Sequence, residues 1–323
     1  MRKLIIQSAL MLLCAASCTQ EIPYTPDNAD DMLILNAQLD ASQTHHVAYV
    51  GISRTTTITK LDEATVLCTV NGGSASRGVL EKDPNFIQSR FSFDAELHPG
   101  DTLRLSAEGA GLFAYAEIVV PDTSGRLLAV DTMTVSQGLH FAAKFQDIAP
   151  ETNFYRLQLK SHSMLSYYVD HEWSAWHERI LEIPIMHKND PLLDARIGGS
   201  EGDDFFGFGG STNYYCIFTD LLFANATGEI SFSVDNSLLY RTFVDRPFEK
   251  LRIAPVLVLS LVSMPLEEYQ YLYVQNVLYD SDFDASEKLE PITVPTNVIG
   301  GTGFVGVYYP SSIVIQLPQK LFP

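Results

Sequence analysis

Gly301-Thr302-Gly303-Phe304-Val305-Gly306 spells G-x-G-x-x-G, the spacing with which a strand-to-helix turn cradles a pyrophosphate. That chemistry needs a helix N-terminus to receive the anion, and here a strand pattern, Val305 to Gln316, follows instead. No acidic residue lies downstream to hold a ribose. The glycines are therefore expected to serve a turn in which two backbones approach closely. His171-Glu172 and His177-Glu178 flank Trp173 and Trp176. A zincin needs histidines four apart on one helical face, whereas these are six apart. On a strand they would share a face but stand about 20 Å from each other, too far for one metal. Two readings stay open for this stretch: a solvent-facing aromatic loop, or a platform on which Trp173 and Trp176 stack a ligand or partner.

Asp280-Ser281-Asp282-Phe283-Asp284 begins like a calcium loop. The sixth position is Ala285 where glycine is needed, and the twelfth is Pro291 where glutamate is needed, so acidity after a helix end is the expectation and calcium binding stays open. Gly199 to Asp204 and Gly207 to Ser211 enclose Phe205, Phe206 and Phe208 in an aromatic, glycine-rich loop, a second candidate contact surface. No G-x-S-x-G elbow occurs, and choosing a carboxylate pair for glycoside hydrolysis in so acidic a chain would be arbitrary. No catalytic residue, metal site or cofactor is assigned.

Acidity also narrows the partners. With 21 Lys+Arg against 39 Asp+Glu the formal charge is −18, which excludes a basic stripe for nucleic acid and argues against electrostatic docking to anionic lipid. At 46% hydrophobic residues the chain is not intrinsically disordered. No C-x-x-C spacing exists, so zinc-ribbon and thioredoxin-type chemistry fall away. Cys68 and Cys216 are expected in different domains, as buried thiols acting as small hydrophobes.

The N-terminus reads as an export address. Arg2-Lys3 precede an apolar run from Leu4 to Leu13, too short to span a bilayer, and Ala15-Ala16-Ser17 lead into Cys18. Residues 1–17 are therefore expected to be a signal peptide, with Cys18 as the lipidated first residue of the mature chain. Cys14 fits less well behind bulky Met11, Leu12 and Leu13, and ordinary secretion with cleavage near Ser17 is the alternative. Residues 18–31 then form a lipidated tether, extended by Pro23 and Pro26 and hydrated by Asp27, Asp30 and Asp31. The membrane is a partner through this lipid, and Gln20-Glu21 points toward display at the cell surface.

From Leu33 onward the dominant period is two. Leu33, Leu35, Ala37 and Leu39 alternate with polar or smaller partners, as do Val66, Cys68 and Val70 before the Asn71-Gly72-Gly73 turn. Phe91, Phe93, Leu103 and Leu105 continue the pattern around Pro99-Gly100-Asp101. These short, turn-punctuated strands predict an immunoglobulin-like β-sandwich over 32–121. Pro121 to Gly125 is the best interdomain break, and 126–323 is expected to be a larger antiparallel β domain. Within it Val256 to Val262, apolar at every other position and between, predicts a central strand buried on both faces. Leu266, Tyr269, Tyr273 and Val277 recur at helical spacing and predict one packed helix at about 264–279, with Ser263 as N-cap and Glu267-Glu268 complementing its dipole. Its tyrosines are expected in the core, with a groove as the alternative. The fold class is mainly β.

The order of motifs in the second half resembles a known family. Phe145-Gln146-Asp147 with Asn153-Phe154-Tyr155-Arg156, Asp190-Pro191-Leu192, Phe218-Thr219-Asp220-Leu221-Leu222-Phe223, and the closing run from Glu290-Pro291 through Pro295-Thr296-Asn297 to Gly306 match the successive motifs of the domain of unknown function 4249 family. Thr296 stands where serine is usual, and Val305 intrudes before Gly306. The resemblance implies a Bacteroidota outer-membrane lipoprotein, lipid-anchored and often encoded beside a TonB-dependent transporter, with no established activity to carry over. The function expected is a non-enzymatic accessory of TonB-dependent nutrient uptake that binds a ligand or the transporter. A glycan or peptide hydrolase assembled from distant loops, and a structural envelope or adhesion module, are the alternatives.

Overall fold

The computed structural model describes residues 31–54, 57–82, 86–136, 138–149, 151–187, 190–193, 213–240, 249–279 and 294–322. The strands of the first part are β1 (Met32–Asp40), β2 (His45–Arg54), β3 (Thr57–Lys60), β4 (Thr65–Val70) and β5 (Ser76–Arg77), then β6 (Val79–Glu81), β7 (Ser89–Asp94), β8 (Thr102–Gly109) and β9 (Leu112–Val119). They form two sheets. One runs β1-β2-β7-β6 and the other β5-β4-β8-β9. The alternation predicted for each strand turns one set of side chains inward: Leu33, Leu35 and Leu39 from the first sheet face Val66, Leu103 and Leu105 from the second, all fully buried. This is the predicted sandwich. Its core is not made by this segment alone, because Val298, Val305 and Val307 from the far end of the chain belong to it.

The second part begins with β10 (Gly125–Val135) and β11 (Gly138–Asp147), followed by the long β12 (Phe154–Val169), β13 (Glu172–Trp173), β14 (His177–Glu182), β15 (Ile217–Thr219) and β16 (Thr227–Asp235). After the single-turn helix α1 (Asn236–Leu239) come β17 (Lys250–Ala254), β18 (Val256–Met264), helix α2 (Leu266–Tyr279), β19 (Gly301–Thr302), β20 (Val305–Gln316) and β21 (Lys320–Phe322). Strands β10, β11 and β16 make a separate antiparallel sheet. The predicted central strand over Val256 to Val262 lies within β18, and Pro255, which has no N–H to give the ladder, separates it from β17. Both strands pair with β12 in one register, from Met264 opposite Phe154 to Lys250 opposite Tyr168.

β18 is buried on both faces, as its apolar run predicts. Leu257, Leu259 and Leu261 enter the core that also holds Phe141, Phe145 and Phe232, whereas Val262 and Met264 lie under α2 with Leu272, Val274 and Val277. Next to it, β20 pairs antiparallel with β18 through residues 309–316 and parallel with β1 through residues 305–308. One strand therefore joins the sheet of the first part to that of the second. Among the described residues, parallel pairing occurs only where β1 meets β19 and β20.

Helix α2 matches the predicted span, but its cap does not. Ser263 is the penultimate residue of β18, and its hydroxyl accepts from Ser124 N and Gly125 N at 3.3 and 3.2 Å. The first helical bond is Tyr269 N to Pro265 O at 3.1 Å, so the proline occupies the cap position. Three of the four helical tyrosines pack as expected of a core, and the last, Tyr279, is exposed. Tyr273 is buried, Tyr271 stacks on Phe304 at 4.4 Å, and Tyr269 meets Phe154 at 5.0 Å. Among the described residues no helix is long and apolar enough to cross a membrane.

Candidate functional site

The motif carboxylates, the first residues one would enlist for acid–base work, are spent on the fold. Asp147 is 1% exposed; its Oδ1 accepts from the Tyr155 hydroxyl at 2.7 Å and Asn153 Nδ2 at 3.2 Å, and its Oδ2 accepts from Asn225 N at 2.7 Å. The same Asn153 amide donates to Asp220 Oδ2 at 3.2 Å. Burial, then the bond to Asp147, pushes the Tyr155 hydroxyl far above its ordinary range. Asp190 accepts from Leu192 N, Leu193 N and, across to β16, Ser231 N. Phe145, Phe218, Phe223 and Tyr155 seal this network as a ring cluster. A buried carboxylate whose oxygens accept three hydrogen bonds from the surrounding fold serves as a structural acceptor.

The glycine run is likewise structural. Gly303 has φ +114°, and a Cβ there would lie 2.3 Å from Leu35 O; one on Gly301 would lie 2.3 Å from Leu33 O. β1 can approach this turn so closely only because neither residue has a side chain. Asn297 clamps it by exchanging two bonds with Val305, Oδ1 accepting at 2.9 Å and Nδ2 donating at 2.7 Å, while Asn36 Oδ1 accepts from Phe304 N at 2.9 Å. A strand follows the run, as the sequence predicts, and no helix receives an anion there.

In the tryptophan segment, Asp170 and His171 both take positive φ, making a two-residue hairpin loop between β12 and β13. Trp173 thus lies on β13 beside Tyr168, with ring centroids 5.2 Å apart and the Arg252 guanidinium 3.8 Å over the indole. One face of the expected platform is already covered. Trp176 is 44% exposed. His177 sits on β14 opposite Leu165, away from the hairpin that carries His171. Cys18, Phe205, Phe206 and Phe208 lie outside the described residues, as do Asp280, Asp282 and Asp284. Among the described residues, no group of three or more His, Cys, Asp or Glu could hold a metal.

One motif residue is not spent in this way. Arg156 lies on the α2 side of β12, 8% exposed, opposite Ile217 and Val262. Its Nη2 donates to Glu182 Oε1, whose partner oxygen accepts from Gln158 Nε2 at 2.9 Å, and its guanidinium lies 5.3 Å from the Tyr215 ring. Arg156 Nε has no hydrogen-bond partner among the described residues. Nor has Oε2 of Glu268, the third residue of α2, which is 2% exposed and faces Gly306. Burial pushes the Glu268 carboxyl up to about 7, against the pull of Arg156. Tyr308, buried nearby, is also raised, chiefly by burial. This cluster, half-open at Glu182 and closed at Glu268, is the strongest candidate for something other than structure.

The motif signal named Arg156 but not Glu268, which sequence reasoning assigned to the helix dipole. The missed cue is Pro265. A glutamate three residues after the cap normally reaches back to the cap N–H, and proline has none to offer. Glycine at 306 then opens space on the facing strand.

A mainly β architecture with one packed helix, whose motif residues hold sheets and turns together, defines a structural class but no reaction. The chain belongs to the family called "Domain of unknown function (DUF4249)", whose model matches residues 19–313. No curated protein sequence matches it. Among solved structures it is similar to a DUF4785 family protein from Legionella pneumophila, at 13% identity and TM-score 0.21, covering 72% of this chain and 52% of that one. It thus spans about half the length of that protein. It is also similar to the Fcho1 Mu homology domain of Danio rerio with bound Eps15 peptide, at 10% identity and TM-score 0.19, covering 88% of this chain and 94% of that one. Neither likeness is close enough to bear on function.

Proposed function

We propose that this protein is a lipid-anchored component of a bacterial outer membrane and a non-enzymatic accessory of TonB-dependent nutrient uptake, binding a ligand or the transporter itself. The observation that carries the non-enzymatic reading is the commitment of the buried Asp147, Asp190 and Asp220 to hydrogen bonds within the fold. The address rests on the basic start, the apolar run and the small residues before Cys18. The segment from His171 to Trp176 and the one from Glu201 to Ser211 are the contact surfaces of this reading, the first with Trp176 exposed.

Two measurements test it. Metabolic labelling with an alkyne palmitate is expected to mark the wild type and not Cys18→Ala. Affinity purification of the tagged protein from solubilised outer membranes is expected to recover a TonB-dependent transporter at near-equal abundance. Reproducible recovery without one overturns the accessory role, and turnover of a glycan or peptide substrate would overturn the non-enzymatic one.

A further inference from the structure

Three features of the first turn of α2 belong together. Glu268 is sealed from solvent with an oxygen that no donor reaches among the described residues. The facing residue on β20 is Gly306, where a Cβ would come within 2.8 Å of the Glu268 carboxyl carbon, so the strand is notched to admit the carboxyl and nothing larger. The charged group acting on it, Arg156, keeps its own Nε unpartnered and bonds outward to Glu182. A buried ionised carboxylate without donors is costly, and a neutral acid in the same notch is far less so.

We propose that Glu268 is a proton-operated latch on helix α2: protonated, it lies in the Gly306 notch and leaves Arg156 to Glu182; ionised, it competes for Arg156 and loosens the first turn of the helix from the sheet. The groups around it define the electrostatics. Arg156 from β12 favours ionisation. Tyr308 from β20 stays neutral, with Asp40 at the end of β1 and Glu182 of β14 acting on it as well. Cys216 and Tyr215, just before β15, feel Arg156 and Glu182 and are also raised by burial. From α2 itself come Glu267, which is exposed, and Tyr269, Tyr271 and Tyr273. Arg156 is thus one cation acting on two carboxylates, bonded to Glu182 and felt by Glu268, and a proton on Glu268 decides which it serves.

The direction of the pH dependence follows. The unfolded chain releases this proton near 4.5, whereas the folded chain holds it until about 7. The folded state binds the extra proton between those values, so stability is full below about pH 4.5 and falls as pH rises toward 7. Beyond that the loss is complete.

Urea denaturation of the full chain at pH 5 and pH 8 is the first test. The folded-to-unfolded ratio of the wild type is expected to drop about a hundredfold more than that of Glu268→Gln, which carries no ionisable group in the notch. A double-mutant cycle on Arg156→Ala and Glu182→Gln is expected to show stronger coupling at pH 5 than at pH 8. Equal pH responses in wild type and Glu268→Gln would overturn the latch. Should Glu268→Gln fail to fold, carboxyl 13C titration of the wild type decides by itself: a Glu268 resonance moving near pH 7 supports the proposal, and one moving near 4.5 overturns it.

Discussion

The Tyr155 hydroxyl donates to Asp147 Oδ1 at 2.7 Å with both side chains sealed from solvent, so the second strand of a motif pair is tied to the end of the first. The same carboxylate takes Asn153 Nδ2 and Asn225 N, which lie on either side of β15 in sequence. One buried acid thus gathers β11, β12 and the turn before β16. What the family motif encodes at this point is assembly.

Loss of that hydroxyl is expected to weaken the assembly measurably. Tyr155→Phe should cost about 1–3 kcal/mol, the usual penalty for removing one partner of a buried hydrogen bond. Asp147→Ala should cost more, since it strands several donors at once. Urea midpoints of the two single variants and the double variant measure both effects, and strictly additive losses would contradict a shared network.

Glycines of two kinds should separate cleanly. Gly72 has φ +68° with nothing near a would-be Cβ, so Gly72→Ala should cost about 1 kcal/mol from backbone strain. Gly303 combines φ +114° with the Leu35 carbonyl 2.3 Å from that Cβ, and Gly303→Ala should cost about 3 kcal/mol or more because backbone must move. Thermal unfolding of the pair checks the order.

Neither Cys68 nor Cys216 should react while the protein is folded. Both are buried and free, and burial pushes their thiols up to about 11 and about 12. Alkylation at pH 8 is expected to be slow in buffer and rapid in urea, at a rate that tracks global unfolding. Fast labelling of Cys216 in buffer would mean that the sheet under α2 opens locally.

Arg252 should be the cover of Trp173. In a Trp176→Phe background Trp173 is the remaining indole, and Arg252→Ala is expected to shift its emission to longer wavelength as water reaches the ring. The stability cost should be about 0.5–1 kcal/mol, typical of a cation–π contact near the surface. An unchanged spectrum would show that the guanidinium does not lie on the indole in solution.

Much of the architecture was legible because its signals are local. Alternation from Leu33 to Leu39 needs only the pleat to become a buried face, and the spacing of Leu266, Tyr269, Tyr273 and Val277 needs only the pitch of a helix. Glycines after Asn297 announced a close backbone approach without saying which strand approaches. Ser263 was misread for the same reason. A serine ahead of a helix is a good local cap, yet its hydroxyl is taken by Ser124 and Gly125, some 138 or 139 residues away.

By itself, the sequence determined that the chain is mainly β, where several of its strands and its packed helix lie, and which motifs mark its family. Only the tertiary structure decided that β20 enters the first sheet parallel to β1, that Asn36 holds Phe304 across 268 positions, and that Glu268 meets Gly306 beneath a helix whose cap is proline. The physical reason is range. Backbone period and turn propensity act over a few residues, whereas strand partnership and the burial of a charge depend on which distant segment closes over the same surface.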